Sequence, residues 1–267
     1  MNHLLAFGAW VLAIFIWVYL LPILIIGTVM CIPFFLVVTP PLLLASFTWF
    51  YIMKDALVPS GTLRSLLNNL PYERWFGQRM IHGNLSTPHL ITSHPHGILC
   101  TSVLIGVHFT PGSTTLFAVS PFIFVIPFFG WLATHLGCIP ATYEAIQNGL
   151  KTSSVILVPG GVPELVSGDM YTRRHGFLKI ARACNVPILP LVSTTDYFHS
   201  IPLPFKEARV YIAKTVGIPL MAPPLGWYGT WVPQRKPIVF QRRDMFTVET
   251  NADIEDERKR YYTNLRK

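Results

Sequence analysis

A pair of histidines separated by one proline carries the most distinctive chemistry in this sequence. His94 and His96 lie in the run HLITSHPHGIL, and no Asp, Glu, Lys or Arg occurs from Met80 through Tyr143. The run begins as a β-rich segment, and a helical pattern starts near Gly97. An imidazole at a strand-to-helix corner is a candidate general base that draws a proton from a hydroxyl. For either histidine taken alone, the alternative is a hydrogen-bonded residue of the core.

A second candidate is the paired-glycine segment VILVPGGVPEL. A buried strand is expected to end at Pro159, after which Gly160 and Gly161 turn the chain before Glu164. Paired glycines let the backbone approach a ligand closely and present amides to it, although an ordinary tight turn has the same sequence. Glu164 is one of the few acids near the apolar part of the chain. It is therefore a candidate carboxylate partner for a histidine.

The segment YTRRHGFLKIARAC combines basic and apolar residues at helical spacing. Its cations are Arg173, Arg174, Lys179 and Arg182. A basic face beside an apolar one suits the phosphates of a carrier molecule or anionic lipid headgroups. A solvent-exposed helix face has the same composition, so both interpretations stay open.

The histidine and cysteine spacings do not indicate a metal site. A zinc ion at His94 or His96 would need a further ligand, and the other histidines have no recognisable ligand spacing. They include His82, His89, His108, His135 and His175. The cysteines form no C-x-x-C pair, which is typical of unpaired, mostly buried thiols in a reducing compartment. They are Cys31, Cys100, Cys138 and Cys184.

Alternating strands and helices are expected to position these candidates. The β-rich runs are 89–93, 114–120, 153–159 and 186–194. The helical segments between them are 97–109, 141–151 and 173–185. Such alternation predicts an α/β fold with helices on the faces of the sheet. Neither a repeat nor a low-complexity linker divides residues 54–267, so we expect them to form one domain.

The composition predicts attachment to a membrane. Of 267 residues, 51% are hydrophobic and only 13% are charged, whereas about a quarter are charged in soluble domains. No charged residue lies between Met1 and Lys54, and prolines interrupt this apolar run. We therefore expect a transmembrane helical hairpin over 1–53, with passes at roughly 4–21 and 23–53. A secretory signal peptide would need a basic start and a shorter apolar core.

The charge distribution predicts the orientation of the remaining chain. The net charge of +8 arises almost wholly after residue 54, which favours a cytosolic position for the domain. The apolar run 121–137 has the composition of a third membrane pass. Its prolines and glycine favour a buried or membrane-dipping segment instead. Residues 54–80 have the pattern of an interfacial helix, a connector or a core helix.

Taken together, the motifs resemble those of the type 2 diacylglycerol acyltransferases, a family that includes monoacylglycerol and wax-alcohol acyltransferases. The resemblance rests on HPHG, on PGG-x-x-E at 159–164, and on R-R-H-G-F-x-K-I-A before a VPILPL strand. It extends to VGIPLMAPPLGWYGTWVPQRKPI and to DIEDERKRYYTNLRK, which looks like the C-terminal helix of the family. The fold that it implies is a mixed sheet flanked by helices, with an N-terminal transmembrane hairpin.

The resemblance also implies a reaction. An acyl group would pass from acyl-CoA to the hydroxyl of a neutral lipid, with conversion of diacylglycerol to triacylglycerol the leading expectation. His96 is the expected base, because it adjoins Gly97 and the start of the helix, and His94 would orient it or substitute for it. Glu164 would be the acidic partner of the histidine. A base is needed because a lipid hydroxyl is a poor nucleophile until its proton is removed.

Other groups would bind the substrates. Backbone amides at Gly97, Gly160 and Gly161 are expected to hold the oxyanion. The acyl chain would lie along the apolar region 97–137. The CoA phosphates would meet the basic cluster, which consists of Arg173, Arg174, Lys179 and Arg182.

The expected partners and location follow from the same resemblance. Acyl-CoA would serve as co-substrate, with no other cofactor, no metal and no nucleic acid. The chain would be a multi-pass protein of the endoplasmic reticulum membrane, with its catalytic domain facing the cytosol, or would reach lipid droplets. Whether it forms a homo-oligomer stays open.

Three alternatives remain. A monoacylglycerol or a fatty alcohol would suit the same motifs as acceptor. The lysophosphatidate type of acyltransferase has the motifs H-x-x-x-x-D and E-G-T-R. Five residues beyond His94 and His96, where the first motif has its aspartate, this chain has Leu99 and Thr101. In place of the second motif it has G-G-V-P. The arginine that would bind an acceptor phosphate is missing, which favours a neutral acceptor. A lipid-binding membrane scaffold of the same fold is the alternative to an enzyme.

Overall fold

The computed structural model describes most of the chain from residue 61 onward. The described ranges are 61–77, 87–95, 97–125, 127–193, 195–230 and 232–266. The predicted hairpin over 1–53, with passes at 4–21 and 23–53, lies outside them, and so does His96. Within the described ranges, none of the helices combines the length and the apolar composition that crossing a bilayer requires.

Within the described ranges, the strands form one mixed sheet and one short ribbon. In chain order they are β1 (Leu90–His94), β2 (Leu116–Val119), β3 (Cys138–Pro140), β4 (Val155–Leu157), β5 (Ile188–Ser193), β6 (His199–Ser200), β7 (Pro224–Leu225) and β8 (Phe240–Arg242). The order across the main sheet is β3-β2-β4-β1-β5-β8. Strand β8 runs antiparallel to β5, and the other neighbours are parallel. The predicted mixed α/β sheet is confirmed, and each predicted β-rich run overlaps a strand.

Helices precede, connect and follow these strands. In chain order they are α1 (Thr62–Asn68), α2 (Glu73–Phe76), α3 (Thr101–Val103), α4 (Phe122–Val125), α5 (Pro127–His135), α6 (Tyr143–Leu150), α7 (Gly161–Ser167), α8 (Gly176–Cys184), α9 (Lys206–Thr215) and α10 (Ile254–Arg266). Helix α3 continues as a π-helical turn over Leu104–His108, and a 3₁₀ turn spans Trp227–Gly229. The three predicted helical segments correspond to α3 with its π turn, to α6 and to α8. The C-terminal helix implied by the resemblance is α10.

The central strands are buried on both faces, as parallel strands covered by helices should be. All five residues of β1 are buried. On one face, Leu90 and Val155 pack with side chains of α6, α8 and α10. On the other face, Ile91 and Ile156 pack with α3 and its π turn. Because side chains alternate along a strand, the carboxyl end of β1 is held from both sides.

In the described residues of the apolar run 121–137, no helix is long enough to be a membrane pass. The run contains α4 and α5, which are four and nine residues long, whereas a bilayer needs about 20 apolar residues. Helix α5 packs against β3 and α1. In the described part of 54–80, Leu67 and Phe76 are buried. Of the three interpretations of 54–80, this burial favours the core helix.

The paired glycines lead directly into a helix that the sequence did not indicate. Helix α7 begins at Gly161 and carries Glu164 in its first turn. Pro163 lies in that turn, where its missing N–H costs no helical hydrogen bond. Gly168 ends the helix with a φ of 74°, a left-handed conformation that glycine adopts easily. A helix rather than a loop therefore fixes the position of Glu164.

Candidate active site

A cleft lies at the carboxyl ends of the neighbouring strands β1 and β5. Its volume is about 120 Å³, and the segments that follow the two strands line it. Ser102 and Ser193 join these segments, with their Oγ atoms 2.6 Å apart. His96, the predicted base, lies outside the described residues, but Pro95 and Gly97 on either side of it line the cleft.

His94 is the last residue of β1 and is completely buried. Its Nε2 lies 3.1 Å from the Tyr261 hydroxyl, which lies 2.6 Å from Oγ1 of Thr92. Burial lowers the pKa of His94 to about 3, so the ring is neutral near pH 7. Its Nδ1 has no hydrogen-bond partner within the described part of the chain. The ring is anchored to α10, and it is not among the described residues that line the cleft.

Glu164 is also buried, with only 2% of its surface exposed. Its Oε2 accepts a hydrogen bond from the backbone N–H of Tyr171 at 3.0 Å. Burial and, second, the charge of Glu164 raise the pKa of the Cys100 thiol. The carboxylate therefore lies within electrostatic reach of the segment that follows the HPHG corner. Its partnership with His96 stays a prediction.

Replacing Gly160 with alanine is expected to displace the Glu164 carboxylate. A Cβ at position 160 would overlap Oε2 and the side-chain carbons of Glu164, so the buried acid and its bond to Tyr171 would have to move. We expect the free energy of unfolding to fall by about 1–3 kcal/mol, the usual cost of overpacking. Urea denaturation measures the change. Gly176→Ala is the matched control, because a Cβ there meets nothing within 4 Å; an equal loss in both variants would contradict the expectation.

The amides expected to hold the oxyanion differ in their surroundings. Gly97 and Gly161 have positive φ values of 59° and 56°, which glycine adopts without strain. The Gly161 N–H donates to the carbonyl of Val158 at 3.1 Å, in the turn that begins α7. An oxyanion at Gly161 would have to compete with that carbonyl. The roles expected of Gly97 and Gly160 stay predictions.

The four basic residues expected to bind CoA differ in their surroundings. Arg174 extends over the turn at Gly161, with its Nη1 2.6 Å from the place that a Cβ of residue 161 would take. Arg182 instead donates from Nη2 to a backbone carbonyl just before α10, at 2.8 Å. Arg173 and Lys179 are exposed. The structure thus brings Arg174 to the candidate site and directs Arg182 elsewhere, while CoA binding by the set stays a prediction.

An acidic residue that the sequence interpretation missed lies beside the HPHG corner. Asp196 follows β5, lines the cleft, and has its Oδ1 3.9 Å from the place that a Cβ of Gly97 would take. The same oxygen accepts a weak hydrogen bond from the backbone N–H of Phe198 at 3.4 Å. The position of Asp196 just after a strand was a usable sequence signal, because the segments that follow neighbouring parallel strands meet at one edge of a sheet. That signal can be used only once β5 is known to lie next to β1.

Two tyrosines of α10 were also missed. Tyr261 bonds to His94, and the ring of Tyr262 meets the His94 ring edge-on with centroids 5.9 Å apart. The Tyr262 hydroxyl is buried without a hydrogen-bond partner in the described residues. Burial and, second, the charge of Glu164 raise the pKa of Tyr262, so the phenol stays protonated near pH 7. Nothing local in the sequence connects this helix to a histidine so far away along the chain.

Three further histidines within the described ranges have structural partners. His108 is buried, with Nε2 2.8 Å from the Leu136 carbonyl and Nδ1 3.1 Å from Oγ1 of Thr115. His89 and His135 each contact a nearby backbone carbonyl through Nδ1. Across the described ranges, no three His, Cys, Asp or Glu side chains come close enough together to hold a metal ion.

The chain has a distant structural likeness to a protein of known structure. No protein-family profile matches this chain. Among solved structures, the chain is similar to the 1-acyl-sn-glycerophosphate (LPA) acyltransferase PlsC from Thermotoga maritima. The TM-score is 0.46 and the sequence identity is 15%, over 82% of this chain and 86% of that one.

Proposed function

We propose that this chain is an acyl-CoA-dependent O-acyltransferase that esterifies a lipid hydroxyl, with diacylglycerol as the leading acceptor. The observation that carries the proposal is the meeting of two motifs at one edge of the sheet. The HPHG corner follows β1, and the segment with Gly160, Gly161 and Glu164 follows β4, which pairs with β1. Glu164 is buried there, and its charge adds to the effect of burial in raising the pKa of the Cys100 thiol.

The proposed reaction needs one base and one oxyanion site. His96 would take the proton of the lipid hydroxyl as its oxygen attacks the thioester carbonyl. Amides of the glycine segments would stabilise the tetrahedral oxyanion, a contribution of about 3–4 kcal/mol in related chemistry. Collapse of the intermediate breaks the carbon–sulfur bond, and the imidazolium returns the proton to the leaving CoA thiolate. No other cofactor enters this scheme.

The size of the cleft indicates which part of the substrates it would hold. At about 120 Å³, it is smaller than the roughly 300 Å³ at which ligand pockets usually begin. It suits the reacting ester group rather than a whole acyl chain. The chains would extend along apolar surface outside the cleft, as expected for an enzyme of a membrane surface. We propose the cytosolic face of the endoplasmic reticulum, with the lipid droplet as the second location.

Lysophosphatidate is a second candidate acceptor. The sequence favoured a neutral acceptor, because the chain has G-G-V-P in place of E-G-T-R and so lacks the arginine of that motif. In the fold, however, Arg174 reaches the same glycine turn from a later segment. The charges of Arg258 and Arg174 both act to lower the pKa of Tyr262, against the larger effect of burial. A guanidinium at this place suits a phosphate, whether it belongs to the acceptor or to CoA.

An acceptor assay tests the proposal. Membranes containing the full chain would receive labelled acyl-CoA and separate pools of diacylglycerol, monoacylglycerol, fatty alcohol and lysophosphatidate. We expect label in the neutral-lipid products, with diacylglycerol preferred. Exclusive use of lysophosphatidate would favour the second candidate. Label in none of the pools would contradict the proposal and favour a lipid-binding scaffold.

Arg174→Ala is expected to raise the KM of the phosphate-bearing substrate about tenfold, with little change in kcat, because a charge-assisted bond is lost. With a neutral acceptor, the affected KM is that of acyl-CoA; with lysophosphatidate, it is that of the acceptor. Steady-state kinetics in both substrates measures the change. Lys151→Ala is the control, because Lys151 is an exposed cation at the end of α6, outside the basic segment. Equal KM values in the parent chain and in Arg174→Ala would remove Arg174 from substrate binding.

A further inference from the structure

Exposed apolar side chains are concentrated in an excursion of the chain between β6 and β7. Because these two strands pair, residues 201–223 leave the two-stranded ribbon and return to it at the same end. Helix α9 lies within this excursion. Phe205 is 81% exposed and Tyr211 is 67% exposed, and Tyr228, just beyond β7, is 86% exposed. Large apolar side chains in such numbers on one segment are unusual for a surface that faces only water.

A second exposed apolar element follows β2. In α4, Phe122 is 45% exposed and Val125 is 73% exposed. Helix α4 follows the carboxyl end of β2, whereas the excursion follows the carboxyl end of β5. Strands β4 and β1, which bear the candidate site, lie between β2 and β5 in the sheet. The exposed apolar residues therefore flank the candidate site at one edge of the sheet.

The charge beside the excursion is basic. Helix α9 packs against α7, and Lys214 lies over the ring of Tyr171 with Nζ 5.5 Å from the centroid. The segment 169–174 and α9 together bear more cations than acids. The cations are Arg173, Arg174, Lys206, Arg209 and Lys214, and the acids are Asp169 and Glu207. Aromatic side chains beside basic ones suit a bilayer with anionic headgroups.

The excursion is also held in a defined conformation. The Arg209 guanidinium donates to the carbonyls of Leu203, Pro204 and Leu220, at 2.8, 3.0 and 3.1 Å. These bonds join the beginning of the excursion to its end across α9. The aromatic side chains are therefore presented on a fixed support, as insertion into an interface requires.

We propose that these elements form a docking rim, consisting of Phe122, Val125, Phe205, Tyr211, Trp227 and Tyr228, that inserts into the headgroup region of an anionic bilayer around the mouth of the cleft. The rim is separate from the apolar run at 1–53. A second copy of the chain is the less suitable occupant, because it would bring two basic surfaces together on a chain of net charge +8. Docking here would let lipid chains pass between the bilayer and the candidate site without crossing water.

Photo-crosslinking of the full chain tests the rim without acyl-CoA. The photoreactive residue p-benzoylphenylalanine would replace Phe205, Tyr228 or Met245, one at a time. Met245 is the matched control: it is 49% exposed, but it adjoins Phe246, which pairs with Ile188 at the opposite end of β5. Each variant would be reconstituted into vesicles of phosphatidylcholine with a minor fraction of phosphatidylglycerol, irradiated, and examined for lipid adducts by mass spectrometry.

We expect about tenfold more lipid adduct at positions 205 and 228 than at position 245. Vesicles of phosphatidylcholine alone should lower the yield at both rim positions, since the attraction to the basic side chains is lost. Equal yields at the three positions, or adducts at 205 and 228 with another protein chain, would overturn the proposal. A yield that does not depend on phosphatidylglycerol would overturn the role of anionic headgroups. Because no acyl transfer is measured, this outcome is independent of the proposed enzymatic activity.

Discussion

His96→Ala is expected to lower acyl transfer by about 10²- to 10⁴-fold, the usual contribution of a general base. Without an imidazole at this position, the acceptor hydroxyl would attack the thioester while still holding its proton. Initial rates with labelled acyl-CoA and diacylglycerol, at equal amounts of membrane-bound protein, measure the effect. Circular dichroism of the purified variant would show that the chain is folded.

His94→Ala is the matched comparison, because its effect should have a different origin. His94 is completely buried and contacts the rings of Tyr261 and Tyr262. Its removal should lower the unfolding midpoint together with activity, because it leaves a cavity in the core. A folded His96→Ala protein with the activity of the parent chain would exclude His96 as the base. The same result for Glu164→Ala would remove the acidic partner from the proposed site.

Tyr261→Phe is expected to lower the free energy of unfolding by about 1–3 kcal/mol. The substitution keeps the buried ring but removes the hydroxyl that lies 2.6 Å from Oγ1 of Thr92 and 3.1 Å from Nε2 of His94. Two buried polar groups would then lose their partner where water cannot replace it. Urea denaturation measures the loss. Tyr143→Phe is the control, because Tyr143 is 49% exposed at the start of α6 and should unfold like the parent chain.

Kinetics of the same variant would show whether Tyr261 also supports the proposed chemistry. Tyr261 would act as a positioning residue that fixes the ring of His94 beside the corner that carries His96. Loss of this support should lower kcat and leave the KM of acyl-CoA nearly unchanged. A variant that is less stable but has the kcat of the parent chain, measured well below its unfolding midpoint, would limit Tyr261 to a role in the core.

The parts of the fold that were predictable depend on local patterns. Strands β1 and β5 and helix α8 have the composition and spacing of their element within one short window. Helix α7 was missed because its Gly-Gly start and Pro163 have the composition of a turn, although proline is tolerated in a first helical turn. The run 121–137 has the composition of a membrane segment, yet it forms two short helices, one of which packs on β3.

The candidate site was predictable only in part, for a similar reason. HPHG and Glu164 lie in recognisable motifs, and the fold brings both to neighbouring strands. Asp196, Arg174 and Tyr261 reach the same edge of the sheet from distant segments. Their positions depend on strand order and helix packing, which a local pattern does not contain. The limit of local patterns is clearest at the glycine turn, where the E-G-T-R arginine is missing from the sequence. Arg174 brings a guanidinium to the turn at Gly161 from another segment.

The bonds made by Tyr261 also bear on the order in which the chain can be assembled. Thr92 and His94 lie 169 and 167 residues before Tyr261, so the central strand acquires its last buried partner only when α10 is in place. During synthesis, the middle of the sheet therefore has to wait until α10 has left the ribosome. Contacts so distant along a sequence form late and slow folding. Chains interrupted before α10 would present an unfinished, apolar sheet face, which makes them natural targets for chaperones and proteases.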